Sequence, residues 1–384
     1  MISDEIDRHL EALAQENLLR RRRIVSSPCT VMAEVDGKPM LTFSSNDYLG
    51  LAAHPALAKA AADAAHRWGV GSGGSHVVTG HMTPHEMLEK ALADFVGAPR
   101  ALYFSTGYMA NTGIVPALAG RGDAVFSDRL NHASLIDAVQ LSRAENVRYR
   151  HNDMDHLTRL LKDSPAKRKL ILTDAVFSMD GNVAPLPELF ALAEAHDAWL
   201  LVDDAHGFGV LGHEGRGSLS HFGIPVTSRV IYIGTLGKAA GVSGAFVVGT
   251  DSVVEWLLQR ARTYTFTTAS SPVIAATLLK SLELIRKGSL LRARLFSLIE
   301  RLRMGLSQTR WELLPSPTAI QPVIIGSNEE TLKISHSLAD MGILVPAIRP
   351  PTVPKGSARL RISLSAGHND AHIDRLTDAL KGLA

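Results

Sequence analysis

The chain has 384 residues, 46% of them apolar, enough for two or three domains of about 150 residues each and for a sizeable core. Its 40 Lys and Arg against 38 Asp and Glu leave a net charge of +2 and no long basic face, which argues against nucleic acid or an anionic membrane as partner. A single cysteine, Cys29, excludes an intrachain disulfide; an acidic N-terminus and the lack of any apolar run of about 18 residues predict a cytoplasmic chain with no signal peptide and no membrane span.

In chain order, Ile6, Leu10, Leu13, Leu18 and Leu19 recur at roughly helical spacing and predict a helix within residues 3–23, with the Arg20-Arg21-Arg22-Arg23 run on its solvated surface. Val31 to Phe43 reads as a hairpin around Asp36-Gly37, and together these make an N-terminal arm, residues 1–45. Over residues 46–265 short apolar runs alternate with helical segments: Ala101 to Phe104, Ala124 to Ser127, Leu170 to Thr173, Trp199 to Asp203, Val230 to Gly234 and Ala245 to Val248. That alternation predicts an α/β domain with a mostly parallel central sheet covered by helices. Thr83-Pro84-His85-Glu86 has the form of a capping box and predicts a helix from there to about Gly97. Pro272 opens a long, kinked helical region to about Gln308, bridging to a smaller α+β C-terminal domain. Residues 266–384 form this last part, with strands near Ala319 to Ile325 and Arg359 to Leu364 and helices near Glu329 to Met341 and Asp370 to Leu383.

The chemistry concentrates in two stretches, Asp203-Asp-Ala-His206 and Gly234-Thr-Leu-Gly-Lys238. Both follow apolar strands, and in an open parallel sheet ligands collect at the carboxyl ends of strands, so both reach one crevice. Small neighbours (Gly237, Ala239, Ala240, Gly241) leave Lys238 room for a bulky ring and desolvate its amine, which favours the neutral nucleophile that forms an imine with an aldehyde. A lysine of this kind paired with an acid at another strand's end is what pyridoxal phosphate requires, since a carboxylate at Asp203 keeps the ring nitrogen protonated. His206 and Ser178 suit the ring's phenolic oxygen, and His132 suits the ring face. Ser105-Thr-Gly107-Tyr108 opens a helix over Met109 to Leu118, whose free amides suit a phosphate, with the Thr235 hydroxyl beside it. Gly71-Ser-Gly-Gly-Ser75 lacks both nucleotide-loop spacings and reads as a glycine-rich turn. Arg349, before Pro350-Pro351, is placed to grip a carboxylate. Although there are 16 histidines, no His or Cys pair falls at ligand spacing, and no metal site is expected.

Through Asn46-Asp-Tyr-Leu-Gly50, Gly71-Ser-Gly-Gly-Ser75, Val202-Asp-Asp-Ala-His206-Gly and Thr235-Leu-Gly-Lys238, the chain resembles the α-oxoamine synthases, fold type I pyridoxal phosphate transferases, across essentially its whole length. The resemblance implies that Lys238 is the imine-forming catalytic lysine, Asp203 pairs with the ring nitrogen, His132 stacks on the ring, and Ser178 with His206 contacts its oxygen. It implies phosphate binding by Gly107, Tyr108 and Thr235, and a homodimer in which Thr267, or its neighbour Thr268, reaches the partner's phosphate. Within the family, Ala347 to Ile362 and Gly212 to Phe222 look most like members that join L-alanine to a pimeloyl thioester carried by coenzyme A or acyl carrier protein. Arg349 would then anchor the alanine carboxylate, Thr352 and Asn46 line the substrate site, and Arg21, in a run whose register is open, approach the pimeloyl end. The nearest rivals implied are members that join glycine to acetyl-CoA and those using longer acyl chains.

Overall fold

Short strands of apolar and β-branched residues, nearly all of them buried, build the larger of two units, Leu49–Ser178 with Asn182–Arg292. The structure is a computed structural model that describes residues 2–307 and 309–384. Seven strands form the sheet of this unit: β3 (Arg100–Phe104), β4 (Ala124–Asp128), β5 (Glu145–Tyr149), β6 (Lys169–Asp174), β7 (Ala198–Asp203), β8 (Val230–Thr235) and β9 (Ala245–Gly249), after β1 (Met32–Val35) and β2 (Lys38–Thr42) of the other unit. Their order across the sheet is β3-β9-β8-β7-β6-β4-β5. β5, β4, β6, β7 and β8 run parallel, and only β9 is reversed against both its neighbours. This is the predicted α/β arrangement, and it stacks the carboxyl ends of β4, β6, β7 and β8 along one edge of the sheet.

β5 was not expected. Its residues are mostly exposed and polar because it lies at the sheet edge beside β4 alone, so the apolar run that marks a central strand is missing.

The predicted capping box is corrected in detail. The helix runs Thr83–Val96, and the residue before it, Met82, donates its backbone N–H to His85 Nδ1 at 3.0 Å, so His85 rather than Glu86 closes the cap. Glu86 instead pairs with Lys90 at 2.9 Å, one helical turn on.

On the same helix Glu89 Oε1 accepts the Tyr103 backbone N–H at 2.9 Å, and burial, with Glu86 adding repulsion, pushes its carboxyl up to about 8 from 4.5. The folded chain therefore keeps a proton that the unfolded chain releases. Stability on this account is fully present below about pH 4.5 and is lost as pH rises toward 8, by up to about 1.4 kcal/mol per pH unit. Glu89→Gln, which keeps the acceptor and abolishes the titration, is expected to flatten the stability slope between pH 5 and 8 in urea melts. Equal slopes in both proteins would show that Glu89 is ionised in the fold.

The other unit comprises 1–48, Met179–Gly181 and Ala293–Ala384. β1 and β2 form the expected hairpin, with Asp36 at φ 51° and Gly37 at φ 76°, and β12 (Ile343–Leu344) adds in parallel to β2. A second sheet, β10-β11-β14-β13, contains β10 (Glu312–Leu313), β11 (Ile320–Gly326), β13 (Ala347–Ile348) and β14 (Ala358–Ser363). Helices Asn328–Asp340 and Asp370–Leu383 complete the predicted α+β pattern.

Two helical expectations are corrected. The N-terminal helix covers only Ile2–Gln15: Asn17 turns left-handed at φ 57°, and the Leu18 N–H closes back onto the Leu13 carbonyl at 2.7 Å, a helix-ending motif that leaves Arg20–Arg23 outside the helix. The segment after Pro272 is not one kinked helix but two, Pro272–Lys287 and Ser289–Leu306, broken at Gly288; its expected end at Gln308 lies outside the described residues. Among the described residues no helix is long and apolar enough to cross a membrane.

Candidate active site

The stacked strand ends of the larger unit enclose a cavity of about 210 Å3. It is lined by Gly107, Tyr108, His132, Ser178, Asp203, His206, Thr235 and Lys238, which brings together every cofactor residue expected of the chain's own site; Thr267 was expected to serve the partner's. Each is delivered by a local device.

Lys238 sits on the loop between β8 and the antiparallel β9, closed by hydrogen bonds from Leu236 N to Gly244 O (2.8 Å) and from Gly241 N to Lys238 O (2.8 Å). Gly241 has φ +69°, and a Cβ there would lie 2.6 Å from the Ala52 amide, so the loop needs glycine at this point. Lys238 Nζ lies 2.9 Å from His206 Nε2.

Asp203, at the end of β7, faces Asp174 on β6 and is buried. Its Oδ1 accepts the Ala205 N–H at 3.0 Å and its Oδ2 the Asn111 Nδ2 at 2.7 Å. Burial and the Asp203 charge hold the Asp174 carboxyl protonated well above the usual range, while its Oδ2 accepts the His132 backbone N–H at 2.6 Å. Asp204 points the other way, taking Ser218 N (2.6 Å), Ser218 Oγ (2.5 Å) and Tyr232 Oη (2.8 Å), and burial pushes its carboxyl up to about 6. Ser218 starts a short helix, so Asp204 has the capping role and Asp203 is left to the cavity.

His132 caps the helix Ala133–Ser142, its Nδ1 accepting Ser134 N at 3.2 Å, and it presents an exposed face to the cavity. The protein packed behind the ring lowers its pKa, against the pull of Asp203. Opposite, Gly107 and Tyr108 are the first residues of the helix Gly107–Leu118, whose cap is Thr106 Oγ1 on Met109 N (3.1 Å); the two amides ahead of that bond have no carbonyl within the helix to meet. Thr235 Oγ1 accepts the Gly237 N–H at 3.5 Å and donates to the Gly244 carbonyl at 3.2 Å, a hydrogen that rotation of the hydroxyl can turn to an acceptor in the cavity it lines.

This donor set fits pyridoxal phosphate. Helix-end amides and a hydroxyl suit the phosphate, a buried carboxylate suits the ring nitrogen, an imidazole lies beside the ring position, and an amine sits within reach of the aldehyde. Gly71–Ser75 is irregular backbone with a bend at Gly74 and Gly73 at φ 71°. Gly74 O accepts the Ala269 N–H at 2.9 Å and Ser72 Oγ bonds the Ser270 carbonyl. Thr267 is half-buried and Thr268 exposed in the segment before Pro272, and neither lines the cavity. His81, Glu86 and Glu89 bring ligand atoms within 4.8 Å of one another, but Glu86 is neutralised by Lys90 and Glu89 holds the Tyr103 amide.

Sequence reasoning missed Asn111, Ser134 and Asp174. The signal for Asn111 was present: it is a polar residue on the buried stripe of an apolar helix.

The remaining expected residues lie in the smaller unit. Arg21 and Arg349 line a cavity of about 910 Å3 with Arg22 and Arg23. Arg349 Nη1 bonds the Asn17 carbonyl, and burial together with Arg20 nearby lowers its pKa. Thr352 Oγ1 accepts Arg20 Nη2 at 3.2 Å, and Asn46 Oδ1 accepts both Arg361 Nη atoms at 3.3 Å.

Residues 38–380 match the family described as aminotransferase class I and II. The 8-amino-7-oxononanoate synthase of Herminiimonas arsenicoxydans is 64% identical over 385 residues, covering 99% of each chain, and that of Dechloromonas aromatica is 58% identical over the full length of both. Among solved structures, the serine palmitoyltransferase of Sphingomonas wittichii superposes with a TM-score of 0.93 at 32% identity, over 99% of this chain and 96% of that one. The 8-amino-7-oxononanoate synthase of Francisella tularensis gives 0.78 at 31% identity, over 89% and 97%. Sheet and cavity thus define a fold type I pyridoxal phosphate transferase. The chain belongs to the aminotransferase class I and II family and, within it, to the 8-amino-7-oxononanoate synthases.

Proposed function

We propose that Lys238, His206, Asp203 and His132 are the working residues of a decarboxylative acyl transfer. L-alanine and a pimeloyl thioester give 8-amino-7-oxononanoate, carbon dioxide and the free thiol carrier, a step of biotin biosynthesis. One observation carries the site assignment: the amine of Lys238 and the carboxylate of Asp203 line the same cavity, at the ends of adjacent parallel strands.

Pyridoxal phosphate, when bound, supplies the electron sink for charge that develops at the alanine α-carbon. Asp203 holds the proton on its ring nitrogen, and the Gly107 and Tyr108 amides with Thr235 hold its phosphate. Lys238 Nζ removes the alanine Cα proton, with His206 Nε2 at 2.9 Å fixing the direction of its lone pair. His132 would pack against the cofactor ring. Arg349 anchors the alanine carboxylate, Thr352 and Asn46 flank the substrate, and Arg21 meets the pimeloyl end as the nearest member of a cationic run. The protein acts in the cytoplasm as a homodimer in which Thr267, or Thr268, bonds the phosphate of the partner's site.

The test offers alanine or glycine with pimeloyl-CoA, pimeloyl carrier protein, acetyl-CoA and palmitoyl-CoA, followed by mass analysis of products. Alanine with a pimeloyl thioester is expected to turn over at least about a hundredfold better than any other pair. Preference for glycine with acetyl-CoA would overturn the substrate assignment and leave the site chemistry standing.

A further inference from the structure

We infer that Asn111 is a positioning residue that fixes both the carboxylate of Asp203 and the ring of His132 through one side-chain amide. The inference rests on the assignment of the cofactor site above and deepens it.

Asn111 is 1% exposed on the helix Gly107–Leu118, among core residues Ala110, Ile114 and Val115. Its Nδ2 donates one hydrogen to Asp203 Oδ2 (2.7 Å) and the other to Ser134 Oγ (2.9 Å). Turning the amide over would set its oxygen against a carboxylate oxygen, acceptor against acceptor, so the orientation follows from the partners. Ser134 Oγ, accepting from Asn111, has its own hydrogen left to donate to His132 Nδ1 at 2.8 Å. The Ser134 backbone N–H points at the same nitrogen at 3.2 Å. Two donors on Nδ1 fix the neutral imidazole with its proton on Nε2. The crowding that lowers the His132 pKa acts in the same sense.

The amide is costly for the fold. Asn111 Oδ1 is buried and has no hydrogen-bond partner among the described residues, whereas an aliphatic side chain would suit the helix face it occupies. Its place is explained by what its two donors hold. Asp203 ends β7 and His132 follows β4, and the chain Asp203–Asn111–Ser134–His132 makes the acid and the stacking ring one unit. A shift of either moves the other.

The test uses Asn111→Leu, Asn111→Ala and Ser134→Ala. In both Asn111 variants the dissociation constant for pyridoxal phosphate, titrated into cofactor-free protein, is expected to rise about tenfold, and kcat to fall with KM for alanine within about threefold. In Ser134→Ala, where only the longer backbone donor at 3.2 Å is left on Nδ1, and to a smaller extent in the Asn111 variants, where the hydroxyl is no longer held, nitrogen NMR of His132 in the cofactor-free protein should show some Nδ1–H tautomer where the parent shows the Nε2–H form alone. Ser134→Ala, which leaves Asp203 untouched, should move the tautomer and not the affinity. Parent affinity in the Asn111 variants, or an unchanged His132 tautomer in Ser134→Ala, overturns the inference. A parent protein with no visible absorbance after loading would instead overturn the site on which it stands.

Discussion

Lys238→Ala is expected to remove the visible absorbance of the cofactor-loaded protein and to cut kcat by at least about a thousandfold. In the proposed mechanism two functions reside on one nitrogen, imine partner and base, so its loss is not spread over neighbours. His206, 2.9 Å away, is an imidazole without a primary amine and supplies neither role in full. Lys238→Arg should fare no better, because a guanidinium stays protonated at any working pH and cannot attack an aldehyde. The hairpin loop is closed by backbone bonds at Leu236, Gly241 and Gly244, none of which uses the lysine side chain. Both variants should therefore fold, and cofactor-free melting temperatures near the parent's would confirm that the loss is chemical. A visible band and ordinary turnover in Lys238→Ala would falsify the assignment.

How far the sequence disclosed this site depends on the range of the forces involved. Lys238, Asp203 and His206 could be read because strand ends and glycine-rich loops leave local marks, and β7 and β8 lie side by side as the alternation of elements implies. The Gly107 helix start was legible for the same reason. Asp174 was not, and Asn111 showed only as a polar residue on a buried apolar stripe, since their hydrogen bonds run to residues 42 and 92 positions away, which no local pattern encodes. β5 escaped because an edge strand has one neighbour and needs few apolar residues. At the N-terminus, apolar spacing continued past residue 15 and outweighed Asn17, though asparagine is a residue that adopts the left-handed turn ending a helix. Periodicity says which face is apolar; it says less about where a backbone stops.

Asp203→Asn should be the second most damaging change. A carboxylate about 4 Å from a ring cation at an effective dielectric of about 20 is worth about 4 kcal/mol, which corresponds to about a thousandfold in kcat if that charge is what holds the ring proton. Asparagine keeps the shape and one acceptor, so Ala205 N retains a partner while the charge is gone. Asp174 does not take over, because its Oδ2 is bound to the His132 amide and its proton is held there by burial. The removal of the Asp203 charge does act on it: repulsion from Asp203 is the second cause of its raised pKa, so Asp174 should give up its proton at lower pH in the variant. Two readouts then separate the roles. Activity should fall in Asp203→Asn and recover in part in Asp203→Glu, where the charge returns on a longer arm that no longer matches Asn111 and Ala205. The pH dependence of cofactor absorbance should shift in Asp203→Asn and sit nearer the parent's in Asp203→Glu. If Asp203→Asn and Asp203→Glu lose activity equally while both keep the parent's pH profile, the carboxylate serves packing alone and the ring nitrogen takes its proton from elsewhere.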